Sequence, residues 1–309
     1  GCFIWDLDNN KYIDMYLMGV GTNVLGYSYT KVDNAVIKNI KKSNLSSFNC
    51  PEEVLLSQEL LKLHKWAGGV KFARTGGEAN AVAIRIARAY SARDNVAICG
   101  YHGWHDWYLS ANIANNNNLN NHLIQNLEPS GVPRKLKDTV FSFKYNDFNT
   151  LKKLVKNKNI GVIKMEVIRD EYPKNNFLEK VRQLSFEKNI VLIFDECTTG
   201  FRNNFGGIHK KFKINPDVVI YGKTLGNGYA INAIVGKKKI MNKAKSNFIS
   251  STFWTERSGP TAALATLKEM KRIKPFNSIN KKGLKIGKIW KFLSNKYKLP
   301  IEIFSIPSL

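Results

Sequence analysis

Two stretches decide the fold: IVLIFDECTTGFR at residues 190–202 and VVIYGKTLGNGY at residues 218–229. Each begins with an apolar run of strand length, and these runs are Ile190–Phe194 and Val218–Tyr221. In an α/β fold, the groups that follow the carboxyl end of a strand lie where ligands bind. The two stretches therefore predict that Asp195 and Lys223 lie at one edge of a sheet.

Strands and helices alternate along most of the chain around these stretches. Further strands are predicted at Val70–Ala73, Val96–Cys99, Gly161–Val167 and Ala230–Val235, and helices at Thr30–Lys42, Glu78–Tyr90 and Phe177–Lys188. The opening FIWDLDNNKYIDMYL alternates apolar and polar residues about a turn at Asp8, which predicts a β-hairpin. Alternation of this kind predicts an α/β fold with a mostly parallel, doubly wound sheet.

Length and composition exclude several classes of protein. The chain has 309 residues, of which 43% are hydrophobic, so wholesale disorder is excluded. No apolar run approaches the roughly 18 residues of a membrane span. The N-terminus does not resemble a secretory signal, and the four cysteines form no CxxC pair. These features predict a protein of the reducing cytoplasm, without a disulfide framework or a zinc ribbon.

The charge is strongly basic, with 48 Lys+Arg against 24 Asp+Glu and a net charge of +24. The lysines are dispersed and accompany many asparagines and isoleucines, which is typical of solvated faces. We therefore expect no nucleic-acid partner and no membrane partner. A nucleic-acid-binding surface is the alternative, and it would show binding that falls steeply with salt.

Three features together suggest the chemistry. Lys223 lies between glycines at the end of a strand, although lysine is normally a surface residue. Asp195 supplies an acid at the end of another strand. Thr75-Gly76-Gly77 precedes a predicted helix, whose N-terminal N–H groups and dipole can bind an anion. A lysine for a Schiff base, an acid for a ring nitrogen and a phosphate cradle are what a pyridoxal phosphate site requires.

An ordered set of motifs resembles the class III pyridoxal-phosphate-dependent aminotransferases, in the branch of glutamate-1-semialdehyde aminomutase. The motifs are TGGEAN (75–80), YHGWHDW (101–107), IFDECTTGFR (193–202), YGKTLGNGY (221–229) and STFWTE (251–256). The resemblance implies a large cofactor-binding domain at 45–260. It implies parts of a smaller α+β domain at 1–44 and 261–309, and a chain that lacks most of the C-terminal domain.

The resemblance also assigns roles to individual residues. Lys223 matches the Schiff-base lysine, and Asp195 matches the acid that pairs with the ring nitrogen; both are predicted to be catalytic. The other predicted cofactor-binding residues are Gly76, Gly77, Tyr101, His102, Cys197 and Thr252. Tyr101 would stack on the ring and Cys197 would pack on its other face. Gly77 stands where the family often has Ser or Thr. Thr252 would reach the phosphate of a neighbouring subunit, which implies a homodimer.

Two residues are candidates for the substrate side of the site. Glu166 ends a predicted strand and could line the substrate cavity, or could be an ordinary residue at a strand end. Val20 lies in Gly19-Val20-Gly21-Thr22, where the aminomutase carries a large aromatic residue. The histidines show no metal-ligand spacing, so no metal site is predicted.

The predicted function is an aminotransferase that moves an amino group, through a lysine Schiff base, from a small-molecule donor to a keto or aldehyde acceptor. The missing aromatic near Val20 favours this function, and so do Trp254 and Glu256, which we expect to crowd the site. Glutamate-1-semialdehyde 2,1-aminomutase is the alternative within the family. A non-catalytic binding module would have lost Lys223 or Asp195, and both are present.

Overall fold

A computed structural model of the chain describes residues 1–304 and 306–309. Its strands are β1 (Phe3–Trp5), β2 (Lys11–Ile13), β3 (Gly69–Ala73), β4 (Asn95–Cys99), β5 (Val140–Ser142), β6 (Ile160–Glu166), β7 (Val191–Glu196), β8 (Val218–Tyr221) and β9 (Asn232–Gly236). Its helices are α1 (Met18–Gly21), α2 (Thr30–Ile40), α3 (Pro51–Leu63), α4 (Gly76–Ser91), α5 (Asp106–Leu109), α6 (Phe148–Asn157), α7 (Phe177–Glu187), α8 (Lys238–Met241), α9 (Ser258–Ile273) and α10 (Pro275–Tyr297).

Seven of these strands form the main sheet, in the order β3-β9-β8-β7-β6-β4-β5. The neighbours from β8 to β5 pair in parallel, whereas β9 is antiparallel to both β8 and β3. Because β3 is antiparallel to β9, it runs in the same direction as the parallel strands. The predicted mostly parallel α/β sheet is confirmed. The carboxyl ends of β3, β4, β6, β7 and β8 all lie at one edge.

Helices cover both faces of the sheet, as a doubly wound fold requires. On one face, α4 contributes buried apolar residues that pack with Ile98, Val162 and Ile193. On the other face, α3, α6, α7 and α9 supply a second buried cluster that includes Leu56, Leu151, Phe177 and Leu267. The two apolar faces explain why most positions of the central strands are apolar rather than alternating.

The residues outside the sheet form smaller units. Strands β1 and β2 form the predicted hairpin, and α2 packs on α9 through Val32, Val36 and Ala262. The predicted boundary between 260 and 261 falls in the first turn of α9, so the division into domains stays a prediction. Within the described ranges, no helix is both long and apolar enough to cross a membrane.

Candidate active site

A cavity of about 330 Å³ opens at the carboxyl edge of the sheet. It is lined by six of the predicted site residues: Gly76, Gly77, Tyr101, Asp195, Cys197 and Lys223. They come from the segments that follow β3, β4 and β8 and from the end of β7. Parallel strands end at a common edge, so residues up to 147 positions apart in sequence line the same cavity.

The anion cradle is the first turn of α4. Thr75 caps this helix by accepting a hydrogen bond from Glu78 N at 3.3 Å, while Glu78 Oε2 accepts one from Arg74 N at 2.6 Å. The N–H groups of Gly76 and Gly77 precede the first hydrogen bond of the helix and can face a ligand. A Cβ on Gly77 would lie 2.5 Å from His105 Cε1, so a side chain there would have to displace the imidazole.

Asp195 is 4% exposed and its carboxylate is held from three sides. Its Oδ2 lies 2.9 Å from His102 Nδ1 and 3.1 Å from Lys164 Nζ, and its Oδ1 accepts a hydrogen bond from Cys197 N at 3.1 Å. Burial alone would raise the pKa of Asp195, but the Lys164 ammonium and the His102 hydrogen bond hold it well below its usual range. Asp195 is therefore an anion that faces the cavity.

His102 does not line the cavity but lies behind Asp195. The histidine is fully buried, and burial together with the charge of Lys164 lowers its pKa. The imidazole is thus neutral, and its Nδ1–H donates to the carboxylate. Asn80 Nδ2 donates to the His102 backbone carbonyl at 3.1 Å. His102 accordingly orients Asp195, and we infer no direct contact with a cofactor ring.

Lys223 has an unusual backbone conformation. Its φ of 37° lies in the left-handed region, which is strained for a residue with a side chain. The preceding Gly222 is required, because a Cβ there would overlap Asn232 Oδ1. Lys223 Nζ donates to Thr198 Oγ1 at 3.2 Å. Burial and the positive charges of Arg169 and Arg202 lower the pKa of Lys223. A lowered pKa increases the fraction of neutral amine, which is the nucleophilic form.

Two residues close the sides of the cavity. Tyr101 lines the cavity, and its backbone N donates to Glu166 Oε2 at 3.1 Å. Cys197 also lines the cavity, and its thiol lies 3.8 Å from Asn232 Oδ1. Burial raises the pKa of Cys197, so the thiol is neutral and serves as a small apolar surface.

The structure does not bring Glu166 into this cavity. Its carboxylate forms a bidentate pair with Arg169, at 2.8 Å to Nε and 2.5 Å to Nη2. It lines a neighbouring cavity of about 260 Å³ that Lys223 does not line. Glu196, the residue after Asp195, is fully buried and is bonded to the His209 ring and the Thr199 hydroxyl. Asp195 is thus the acid at the end of β7 that faces the cavity.

A second cavity, of about 970 Å³, extends from Lys223 to the N-terminal segment. Val20 lines it and is 66% exposed. Val20 lies in α1, whose four residues all have positive φ and make one left-handed turn. Asn227, four residues after Lys223, holds this segment by accepting from Leu25 N at 2.8 Å and donating to Gly26 O at 3.1 Å. Val20 and Lys223 therefore line the same cavity.

Thr252 lies away from the cofactor cavity of its own chain. It is exposed and begins a short 3₁₀ turn, Thr252–Thr255. Trp254 and Glu256 line neither of the two cavities that contain Lys223 in their own chain, so the expectation that they crowd the site stays a prediction. Arg74 Nη2 donates to the Trp254 and Glu256 carbonyls at 2.9 and 3.0 Å.

Several residues of the site were missed in the sequence. Lys164, Thr198, Arg202 and Asn232 contact the predicted residues or line the cavities. Lys164 and Asn232 lie within strands, and a charged or amide residue in an otherwise apolar strand was the available sequence signal. Arg202 ends the motif IFDECTTGFR and could have been found there.

Comparison with known proteins places the chain in a family. Residues 1–303 match the family model of the class III aminotransferases. The chain is 33% identical to the 3-aminobutyryl-CoA aminotransferase of Cloacimonas acidaminovorans, an alignment that covers 98% of this chain and 71% of that protein. It is 32% identical to the glutamate-1-semialdehyde 2,1-aminomutase of Sulfolobus acidocaldarius, over 88% of this chain and 66% of the relative.

Solved structures have the same fold. The FumI protein of Sphingopyxis sp. MTA144, in a form with pyridoxal phosphate, superposes with a TM-score of 0.85 at 24% identity, covering 98% of this chain and 71% of that one. The ornithine aminotransferase of Toxoplasma gondii gives 0.81 at 22% identity, covering 92% and 69%.

The fold and the cavity define a pyridoxal-phosphate-dependent enzyme. The chain belongs to the class III aminotransferase family.

Proposed function

We propose that this protein is a transaminase that uses Lys223 as its Schiff-base residue and passes an amino group from a small-molecule donor to a keto or aldehyde acceptor. The observation that carries the proposal is that Lys223, Asp195 and the first turn of α4 line one cavity. Pyridoxal phosphate needs an amine for its covalent attachment, a carboxylate for its ring nitrogen and an anion cradle for its phosphate, so the residues present fit the cofactor.

The residues divide the work as follows. The backbone N–H groups of Gly76 and Gly77, with the positive end of the α4 dipole, bind the phosphate. Tyr101 and Cys197, which line the cavity, would contact the ring. Asp195 would hold a proton at the ring nitrogen, and His102 orients the carboxylate. When bound, pyridoxal phosphate supplies the electron sink for bond breaking at the amino-bearing carbon.

Lys223 supplies both the covalent attachment and proton transfer. Its amine lies at a strand end where burial and two arginines disfavour the ammonium form. An amine with a lowered pKa can take a proton from the amino-bearing carbon and return it elsewhere. The Thr198 hydroxyl accepts a hydrogen bond from Nζ and keeps the amine directed towards the cavity.

The larger cavity supports a substrate that carries an acid group. Arg202 lines it beside Lys223, and its Nε donates to the Thr198 carbonyl at 2.9 Å. Arg202 has no carboxylate partner among the described residues, and burial lowers its pKa to about 10. A half-buried cation without a counter-ion is costly, and a substrate carboxylate would compensate it.

The choice between transaminase and mutase rests on the mouth of this cavity. A mutase keeps its substrate bound through both halves of the reaction, whereas a transaminase releases one product before it binds the second substrate. Val20 is a small side chain on an exposed left-handed turn, which leaves the mouth open and supports a transaminase. The 3-aminobutyryl-CoA aminotransferase relative supports the same choice. Glutamate-1-semialdehyde 2,1-aminomutase is the second candidate, favoured by relatives of that name.

The experiment is a half-reaction screen. Single amino donors are added to the protein loaded with cofactor, without an acceptor, and the absorbance of the cofactor and the released keto product are both measured. A transaminase releases one equivalent of keto product per site and then stops. Conversion of glutamate-1-semialdehyde to its isomer, with no requirement for an added acceptor, would establish the mutase instead.

We further propose that the active form is a homodimer in which Thr252 completes the phosphate site of the neighbour. Thr252 is exposed, and it begins a turn that Arg74 ties to the phosphate cradle. A surface that completes a site in trans requires a two-fold, self-complementary interface. The four cysteines are all free thiols, which supports a cytoplasmic location. The dispersed lysines support the absence of a nucleic-acid partner.

A further inference from the structure

Lys164 is a charged residue in the middle of an apolar sheet. It belongs to β6, where it is paired with Ile98 of β4 on one side and Ile193 of β7 on the other. Both isoleucines are fully buried, and so is Lys164. A lysine is almost never fully buried unless a partner compensates its charge. Among the described residues, its one ion-pair partner is Asp195, with Nζ 3.1 Å from Oδ2.

The acid that would serve the ring nitrogen is therefore already paired. Oδ2 accepts hydrogen bonds from Lys164 and His102, and Oδ1 accepts one from the Cys197 N–H. A carboxylate offers about four acceptor positions, so roughly one remains for a ligand in the cavity. A ring N–H⁺ at that position would share a single negative charge with the Lys164 ammonium.

We propose that Lys164 is a positioning residue of the cofactor site that competes with the ring nitrogen of pyridoxal phosphate for the charge of Asp195. The inference rests on the proposed function, because it requires Asp195 to face the ring nitrogen. Lys164 keeps Asp195 ionised and fixed before the cofactor binds. It also makes protonation of the ring nitrogen less favourable. Without Lys164, the full negative charge of Asp195 would be available to the protonated ring nitrogen.

The sign of the effect follows from counting charges. With Lys164 present, the carboxylate of Asp195 and the ammonium of Lys164 have a net charge of zero. A protonated ring nitrogen then adds one positive charge to a buried site. With Lys164 replaced by a neutral residue, the protonated ring nitrogen and Asp195 are neutral together. A neighbouring opposite charge shifts a pKa by about 1–3 units, and a like charge at a similar distance should act with a comparable magnitude in the other direction. The ring nitrogen should therefore hold its proton to higher pH when Lys164 is removed.

The other charged groups around the acid keep their identity in this comparison, but one of them, His102, responds to the charge of Lys164. The titratable or charged residues that line the same cavity are Arg74, Tyr101, Cys197, Lys223 and Tyr229. His102 contacts Asp195 directly, and the charge of Glu166 reaches His102. These residues are identical in the wild type and in a Lys164 variant, but the pKa of His102 rises when the Lys164 charge is removed. The protonation of the His102 ring is therefore followed in the same titration, and ring protonation of the cofactor is compared over the pH range in which His102 stays neutral in both proteins.

The test uses the full chain loaded with pyridoxal phosphate that carries ¹⁵N in its ring. The ¹⁵N chemical shift, which separates the protonated from the neutral ring, is followed against pH in wild type, Lys164→Met and Lys164→Gln. Lys164→Gln keeps a neutral donor for Asp195 and serves if the methionine variant folds poorly. Lys237→Met is the matched control, because it removes another lysine–aspartate pair, at 2.7 Å from Asp217, outside the cavity.

We expect both Lys164 variants to keep the ring protonated to a pH about 1–3 units higher than wild type, and Lys237→Met to match wild type. As a second readout, pyridoxal phosphate should raise the Tm of Lys164→Met more than that of wild type. Equal ring protonation at every pH in wild type and both variants would overturn the inference. If the ¹⁵N shift of the ring is also unchanged in Asp195→Asn, then Asp195 does not face the ring nitrogen and the proposed site is wrong. This variant therefore distinguishes failure of the inference from failure of the proposed function.

Discussion

Trp254 Nε1 donates a hydrogen bond to Glu78 Oε1 at 2.8 Å, and this contact joins the Thr252–Thr255 turn to the first turn of α4. Glu78 also accepts from Arg74 N, and Arg74 in turn binds the carbonyls of Trp254 and Glu256. The turn that carries Thr252 is thus fixed relative to the phosphate cradle of its own chain. A rigid, exposed Thr252 is suited to contact a second copy of the protein.

The first prediction concerns this shared site. Thr252→Ala should weaken cofactor binding by roughly 1.5–3 kcal/mol, the value of a hydrogen bond to a charged group. Lys223→Ala should have no turnover. Mixing the two variants should partly restore activity, because each mixed dimer then has one site with both Lys223 and Thr252 intact. Turnover and cofactor binding are measured before and after mixing.

The control for this experiment is Thr255→Ala, which changes the same turn at its other end. It should bind cofactor as the wild type does. If mixed dimers form and no activity returns, Thr252 serves its own chain and the proposed trans contact is wrong.

The second prediction concerns Asp195. Asp195→Asn removes the negative charge that compensates the buried Lys164, and breaking a buried pair in this way costs about 3–5 kcal/mol. We expect a matching loss in the free energy of unfolding by urea. Turnover should fall by orders of magnitude, since a neutral amide cannot hold the ring nitrogen protonated.

The double variant Asp195→Asn/Lys164→Met separates these two effects. It removes both charges, so it should regain most of the lost stability without regaining turnover. A single Asp195→Asn variant that is as stable as wild type and has normal half-reaction rates would contradict both roles.

The third prediction concerns Arg202 and the acid group of the substrate. Arg202→Gln should raise KM for donors that carry a carboxylate by about 10- to 100-fold, the equivalent of one charged hydrogen bond. The KM for amines without an acid should change little. Lys282→Gln is the control, because Lys282 lines the same cavity but is exposed. Equal effects on both types of donor would show that Arg202 does not recognise an acid.

The fourth prediction concerns pH and the buried His64. Burial lowers the pKa of His64 to about 3, and its Nε2 lies 2.9 Å from the Tyr221 hydroxyl. In the unfolded chain the same group takes a proton near pH 6.5. The unfolded state therefore binds more protons below that pH, and stability should fall from about pH 6.5 towards pH 3, by about 1.4 kcal/mol per pH unit at most.

His64→Gln should reduce this loss, because the amide can still meet Tyr221 and does not titrate in this range. Free energies of unfolding at pH 7.5 and pH 5 are compared for the two proteins. An identical difference between the two pH values in wild type and variant would contradict the assignment.

The sequence predicts the elements of the site that follow from local pattern. Asp195 and Lys223 could be predicted because each comes at the end of an apolar run, and parallel strands bring such ends together. The Gly76-Gly77 turn could be predicted because it precedes an alanine-rich helix. The direction of β9 could not, since an apolar strand has the same pattern whether it pairs in parallel or antiparallel.

Contacts between residues far apart in the sequence could not be predicted from the hydrophobic pattern. Lys164 precedes Asp195 by 31 positions, and only the register of β6 against β7 brings them together. The sequence left open whether Glu166 lines a substrate cavity or is an ordinary residue at a strand end. In the structure its carboxylate pairs with Arg169, a contact that the sequence pattern does not predict. The contact of the Trp254 indole with Glu78 could not be predicted, because a motif gives no information on which helix a side chain contacts.

Peptide mapping after borohydride reduction tests whether Lys223 forms the Schiff base. The protein loaded with pyridoxal phosphate is reduced, digested and mapped by mass spectrometry, with Lys223→Ala treated in parallel. We expect a pyridoxyl group on the peptide that contains Lys223 and none in the variant. A stoichiometric label on any other lysine, including Lys164 beside Asp195, would contradict it.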